Sequence, residues 1–217
     1  MAQQKIPEVV VDRLPTYVRA LTLLREEGIS VVSSQELGVR LRVTPAQIRK
    51  DLSYFGRFGK QGRGYNIDNL IRELRSILGL TKEWPMALVG AGQLGQAILR
   101  YTGFVPEGFR VVAAFDTDKR QIGRKIGPVV VQDVAELPQT VVERNVDIGI
   151  VAVPSATAQG VIDTLVRSGI RAILNYAPMS PHIPENVLVR EVDPVVALQS
   201  MTFYLKLDEK QREKAAQ

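Results

Sequence analysis

Apolar positions along the 217-residue chain follow two different spacings, and the change comes near residue 80. Before it the spacing is helical: Val18, Leu21 and Leu24, with Tyr17 and Leu23 beside them, recur at three- and four-residue intervals. This predicts a helix over 6–27, with Pro7 near its start, Pro15 breaking or restarting it, and Gly28 just past its end. Ser33 and Ser34 offer an N-cap for a short helix over 35–41. A third helix opens at Thr44-Pro45-Ala46-Gln47, where Thr44 caps, Pro45 fits the first position and Gln47 completes a capping box. On it Ile48, Leu52 and Phe55 share one face, and Gln47, Arg49, Lys50, Ser53 and Tyr54 the other. Residues 56–65 space glycines with Arg57, Lys60 and Arg63 and read as a hairpin with cations at its tip. A fourth helix runs from Asp68, as N-cap, to Leu78 and stops at Gly79.

Beyond residue 80 short apolar runs alternate with helical stretches. The runs are 86–89, 111–115, 129–131, 146–153, 170–174 and 187–192. Between them Asp118 to Gly127 reads as a polar loop, Asp133 caps a helix interrupted by Pro138, and Ser155 starts a helix that ends before Gly169. This alternation predicts an α/β fold with a doubly wound, Rossmann-like parallel sheet. The final helical stretch, 195–207, sets Val195, Val196, Leu198, Met201, Phe203 and Leu205 around much of its circumference. It calls for burial from more than one direction, inside its own domain or in a partner subunit. The expected domains are therefore 1–80, 81–193 and a C-terminal helix and tail, 194–217.

The first strand of the second region leads into Gly90-Ala91-Gly92-Gln93-Leu94-Gly95, then a helix with Ala97, Ile98 and Tyr101, then a second strand ending on Asp116. Strand, glycine turn, helix, strand and acid is the order of a dinucleotide-binding unit. Gly90 allows the tight turn, Gly92 admits the pyrophosphate, and Gly95 lets helix and strand approach. The pyrophosphate would lie over the helix N-terminus. Asp116, 21 residues past Gly95 (116 − 95), would hold the adenine ribose and favour NAD over NADP. Strand ends at Val153-Pro154 and Asn175 fall on the same rim.

Charge adds a second partner. Residues 1–80 carry 13 Lys/Arg against 8 Asp/Glu, a net of +5 (13 − 8), while the remainder balances. Within 40–63 seven basic residues face Asp51 alone. A short helix, a turn, a polar-faced helix and a basic glycine-spaced segment together make a winged helix-turn-helix. Such a domain docks one helix in the major groove of double-stranded DNA and lays cations in a narrow minor groove. Ser33, Ser34, Thr44, Gln47, Arg49, Lys50, Ser53, Tyr54, Arg57, Lys60 and Arg63 are the expected DNA-binding residues. Cysteine is absent, which excludes disulfides and thiolate chemistry, and no residue cluster points to a metal. No run is long enough for a membrane span, and the N-terminal residues lack an apolar signal core, so a cytoplasmic protein is expected. The single histidine, His182, lies between Pro181 and Pro184, and no Tyr-x-x-x-Lys pair occurs. Catalytic residues are therefore expected to be none. An NAD-dependent oxidoreductase with an accessory DNA-binding domain is the alternative.

Several segments resemble the Rex family of redox-sensing transcriptional repressors. They are Arg49-Lys50-Asp51-Leu52-Ser53-Tyr54-Phe55-Gly56, the Gly59 to Tyr65 wing, the Gly90 to Gly95 turn, Gly108-Phe109, Ala114-Phe115-Asp116-x-Asp118 and Asn175-Tyr176-Ala177-Pro178. The resemblance implies a homodimer on an inverted-repeat operator of fermentation and respiration genes, occupied when NADH is scarce and released when NADH accumulates. NADH and NAD+ are then regulatory ligands. It also implies that the C-terminal helix is exchanged, lodging between the partner's two domains, and that Arg19 pairs with the other subunit's Asp193 in one state only. Pro194 departs from the family pattern, which places an apolar or aromatic side chain beside the nicotinamide.

Overall fold

The computed structural model describes residues 6–59 and 63–215, and Lys60 lies outside them. The chain divides into two compact units, Met1–Lys82 and Glu83–Gln217.

The first unit is helical. Helix α1 (Glu8–Glu26) is followed by β1 (Val31–Val32), α2 (Ser34–Leu41), α3 (Pro45–Ser53), β2 (Tyr65–Asn66) and α4 (Ile67–Ile77). Its core joins Leu14, Tyr17 and Leu21 of α1 to Leu37, Ile48, Leu52, Leu70 and Leu74. Pro15 does not break α1. Both Pro15 and Val11, whose carbonyl loses its amide partner, are exposed, so solvent satisfies that carbonyl while Leu14, Tyr17 and Val18 hold the helix on the core. Ser33 caps α2 in a full capping box with Glu36. At α3 only half of the expected box forms: Thr44 Oγ1 accepts from the Gln47 amide at 3.2 Å, but the Gln47 side chain turns to Asp51. The cap of α4 is Asn66, not Asp68, which sits in the first turn. The tip of the expected hairpin within 56–65 lies outside the described residues. Strand β2, which leaves that segment, pairs antiparallel with β1, Val31 opposite Asn66 and Val32 opposite Tyr65.

The second unit holds β3 (Trp84–Val89), α5 (Gln93–Arg100), β4 (Phe109–Asp116), β5 (Lys125–Ile126), β6 (Val129–Asp133), α6 (Leu137–Glu143), β7 (Ile148–Val151), α7 (Ser155–Arg167), β8 (Ala172–Asn175), β9 (Leu188–Glu191) and α8 (Pro194–Ala215). Its strands run in the order β5-β6-β4-β3-β7-β8-β9, parallel except for β5. Alternate residues of β3 feed two cores, because successive side chains point to opposite faces. Met86 and Leu88 meet Ile98 and Leu99 of α5. Ala87 and Val89 meet the side covered by Leu137 and Val141 of α6 and Ile162 and Leu165 of α7. Pro138 does not interrupt a helix from Asp133. Asp133 caps a single 3-10 turn, and Pro138 then occupies the first turn of α6, where its missing amide costs nothing.

The strand order reverses beside β3, with β4 on one side and β7 on the other. Ligand crevices of open α/β sheets lie at this point, outside the carboxyl ends of the strands.

Candidate nucleic-acid groove and dinucleotide crevice

In the first unit, the start of α2, the exposed side of α3 and the segment leading to β2 surround a groove of about 710 Å3. Ser33, Ser34, Arg49, Ser53 and Arg57 line it, five of the residues expected to meet DNA. Its lining holds two arginines and no acid. Arg49 reaches across it, donating from Nη1 to Ser34 Oγ at 3.0 Å, so the two elements share their polar rim. Lys50 and Arg63 are exposed outside the lining. Other expected residues are committed locally. The Ser53 hydroxyl donates to the Lys50 carbonyl at 2.7 Å, and Gln47 Nε2 donates to Asp51 Oδ1 at 2.7 Å. Gln47 therefore braces α3 from within through its amide nitrogen.

Tyr65 and Phe58 also line the groove, and sequence reasoning passed over them. Burial pushes the Tyr65 phenol up, against the pull of the Arg49 cation. A signal was present: Tyr65 closes the glycine-spaced segment, and Gly59 leaves room for its ring, since a side chain there would meet Tyr65 Cδ1 at 3.0 Å.

A larger omission is Asp51, whose side chain is wholly buried. It accepts from Arg13 Nε and Nη2, both at 2.7 Å, from the Tyr17 hydroxyl at 2.6 Å and from Gln47. Burial alone would raise this carboxyl, but donation from Arg13, Tyr17 and Gln47 outweighs it and holds the group below its ordinary value. Burial, then the bond to Asp51, drives the Tyr17 phenol strongly upward.

In the second unit a crevice of about 430 Å3 opens at the strand-order reversal. Gly90 and Gly92 follow β3, Asp116 ends β4 with Thr117 and Asp118 after it, and Ala152, Val153 and Pro154 follow β7. Val89, Val134, Val153 and Val161 give it an apolar wall, and Gln121 and Thr157 add polar groups. Gly90, Gly92, Asp116, Val153 and Pro154 are thus brought together as expected. Asp116 Oδ2 accepts from the Ala91 amide at 2.7 Å and Oδ1 from the Asp118 amide at 2.8 Å. Each oxygen keeps a lone pair for a ribose hydroxyl.

The three glycines have different reasons. Gly90 has φ +101°, and a side chain there would overlap the Ala152 carbonyl. A side chain on Gly95 would overlap the Gly90 carbonyl oxygen. Gly92 has an ordinary φ of −69° and nothing within 4 Å of a built Cβ. Neither backbone nor packing demands glycine there. The open space lies at the start of α5, where unpaired amides and the helix dipole attract an anion, and this fits a pyrophosphate.

Four residues of the expected cofactor set have partners or packing roles within the fold. Ala91 is fully buried and its amide is committed to Asp116. Gly95 acts through close packing. Asn175 is fully buried, donating to the Ala177 carbonyl at 3.0 Å and the Met179 carbonyl at 3.3 Å while accepting from the Ala177 amide at 3.0 Å. Its side chain builds the loop after β8. Tyr101 lies outside the crevice lining, exposed, with its ring edge-on to Phe104 at 4.9 Å. Gln93 and Leu94 are exposed on the first turn of α5. His182 is held through its backbone by the Gln159 amide, at 2.9 Å in both directions.

Residues 5–53 match a family described as a putative DNA-binding protein N-terminus, and 81–179 match a CoA binding domain family. A redox-sensing transcriptional repressor Rex from Chloroflexus aggregans is 56% identical over 199 residues, covering 92% of this chain and 94% of its own. The chain belongs to the Rex family of redox-sensing transcriptional repressors. A second Rex, from Desulforamulus reducens, is 47% identical over 97% of this chain and 100% of its own. Among solved structures, RSP in complex with β-NAD+ and operator DNA superposes with a TM-score of 0.90 at 38% identity, covering 98% of both chains. RSP, a Rex-family repressor, in complex with β-NADH superposes at 0.88 and 37% identity, covering 97% of this chain and 99% of that one. Rex membership over nearly the whole chain selects the repressor reading over the oxidoreductase alternative.

Two further expectations concern the Rex dimer. Arg19 is exposed on α1, and Asp193 accepts from the Val195 amide at 2.8 Å at the start of α8. Pro194 is the first residue of that helix, a position its fixed φ suits. Val196, Phe203, Tyr204 and Leu205 of α8 are each more than 60% exposed, so the helix presents apolar surface on several sides. Among the described residues no group of three or more His, Asp or Glu could hold a metal, and no helix is long and apolar enough to cross a membrane.

Proposed function

We propose that this Rex protein is a cytoplasmic homodimer that represses by gripping an inverted-repeat operator and lets go when NADH fills the crevice of Glu83–Gln217. Arg49 and Lys50 read the major groove, Ser34 steadies Arg49, and Arg57, Lys60 and Arg63 serve the wing. Thr44, Ser33, Ser53 and Tyr54 belong to the backbone-facing rim. Asp116 and the Gly90 to Gly95 turn hold the dinucleotide, with Val153 and Pro154 beside it. The observation that carries this reading is the pairing of a basic groove with a dinucleotide crevice whose lining has no histidine, tyrosine or lysine to handle a hydride.

The chemistry of the two cofactor states supports a switch. The nicotinamide is cationic when oxidised and neutral when reduced, and an apolar enclosure penalises the cation through desolvation. NADH can then favour a dimer arrangement that NAD+ does not, and only that difference in affinity moves the equilibrium. Half-sites lie ~10 bp or its multiples apart, so a change of several Å in recognition-helix spacing prevents simultaneous docking. Exchange of α8 and an Arg19–Asp193 pair between subunits are the proposed parts of that change. The boundaries follow the functional parts, with 1–80 for DNA, 81–193 for the dinucleotide and 194–217 for dimerisation.

The test is a gel shift on a palindromic A·T-rich duplex with NADH, NAD+ and NADPH titrated separately. Release by NADH at concentrations where NAD+ and NADPH leave the complex intact is expected. Equal responses to all three, or steady NADH consumption with a carbonyl substrate, would overturn the reading.

A further inference from the structure

Asp51 is a carboxylate on α3 whose side chain is wholly buried. Its donors come from two helices: Arg13 and Tyr17, one turn apart on α1, and Gln47, one turn before Asp51 on α3. Burying a charge in this way is costly, and exchanging such pairs for apolar residues of similar volume is often neutral or stabilising. Stability alone therefore does not account for it. What the cluster supplies is registry. The arginine fork meets a carboxylate side by side in one geometry, whereas apolar contacts such as those of Leu14, Ile48 and Leu52 tolerate sliding. One residue of rotation turns a helix by about 100°, so fixing Asp51 fixes the direction of Arg49 and Lys50 beside it.

We propose that Arg13, Tyr17, Asp51 and Gln47 form a positioning device for operator recognition. They set the rotation of α3 on α1 and hence the aim of Arg49 and Lys50. The proposal rests on reading α3 as the recognition helix. The four residues make no DNA contact of their own. Their loss should fall on the discrimination between operator and random DNA. It should not fall on the sequence-independent attraction that net positive charge provides.

The test uses full-length protein, an inverted-repeat duplex that the wild type selects from a random A·T-rich pool, and a random duplex of equal length at the same salt. Asp51→Asn keeps the shape and removes the charge, Tyr17→Phe removes one hydroxyl, and Arg13→Lys keeps the charge without the fork. Operator affinity should fall at least about tenfold in Asp51→Asn and roughly threefold or more in Tyr17→Phe, as expected for lost hydrogen bonds to a charged group. Random-duplex affinity should stay equal or rise, and Arg13→Lys should fail to restore discrimination. An unchanged operator-to-random ratio in Tyr17→Phe, or in a folded Asp51→Asn, overturns the proposal. If Asp51→Asn melts Met1–Lys82, the Tyr17→Phe and Arg13→Lys ratios decide. If the wild type selects no duplex, the recognition-helix reading fails and the proposal falls with it. Selection by the wild type with unchanged ratios in the variants removes the proposal alone.

Discussion

Asp116 accepts a hydrogen bond from the Ala91 amide at 2.7 Å, so the acid ending β4 also secures the glycine turn after β3. One carboxylate thus holds the turn and, in the proposed function, also receives a ribose. Asp116→Ala removes both. NADH affinity should fall roughly 10- to 100-fold, the range for hydrogen bonds to a charged group, and operator release should need correspondingly more NADH. Titration calorimetry with NADH checks this, and an unchanged affinity excludes Asp116 from the site.

The glycines of the turn divide by cause. Gly95→Ala would force a methyl group into the Gly90 carbonyl, at a cost of about 3 kcal/mol and a Tm lowered by roughly 10 °C. Gly92→Ala meets nothing in the protein, so its Tm should match wild type while NADH affinity drops. Calorimetric melts without ligand and NADH titrations separate the two. Equal destabilisation by both substitutions would refute the division.

Arg49 faces the groove beside Ser34. Arg49→Ala should cost about 1–3 kcal/mol in operator affinity and relax preference at one base position, with NADH binding intact. Were Arg49 a phosphate contact instead, affinity would drop uniformly across sequences and the salt slope would fall by about one unit. Fluorescence anisotropy over a panel of single-base operator variants distinguishes the two outcomes.

Helix α8 carries apolar surface that one chain leaves exposed, with Phe203 61% and Leu205 62% accessible. Phe203→Lys with Leu205→Lys should convert the proposed dimer to monomer at micromolar concentration, as seen by light scattering, and weaken operator binding with it. A dimer that survives both charges would exclude α8 from the interface.

Acid provides a test of Asp51. Its carboxyl titrates below the ordinary value in the folded state, so its stabilising contribution is complete above the unfolded-state range and disappears as pH falls through the depressed value. Urea unfolding of wild type should therefore weaken below roughly pH 4, and the difference from Asp51→Asn should shrink over the same interval. A difference independent of pH would show that the carboxyl is not held down by Arg13, Tyr17 and Gln47.

The sequence made the periodic elements legible because their signals are local. Glycine spacing announced the turn after β3, Thr44-Pro45 announced α3, and alternating apolar runs announced the parallel sheet. What stayed hidden was the destination of individual polar side chains. Asp51 and Arg13 are separated by 38 residues, so nothing near Asp51 reveals its burial. Asn175 ends β8 at the rim, and its amide closes its own loop, a bond that the sequence does not announce. Asn66 took the cap of α4 ahead of Asp68, and Pro15 stayed within α1, because the chain's path and the exposed face settled each choice.

The crowding of Gly90 and Gly95 limits how the redox setpoint can be adjusted. Gly90 and Gly95 are locked against the backbone around them, so changes at either damage folding before they alter response. Thr117, Gln121 and Thr157 border the same crevice on elements with room to vary. Retuning this repressor to a different NADH range would therefore proceed through that border, leaving Gly90 and Gly95 unchanged.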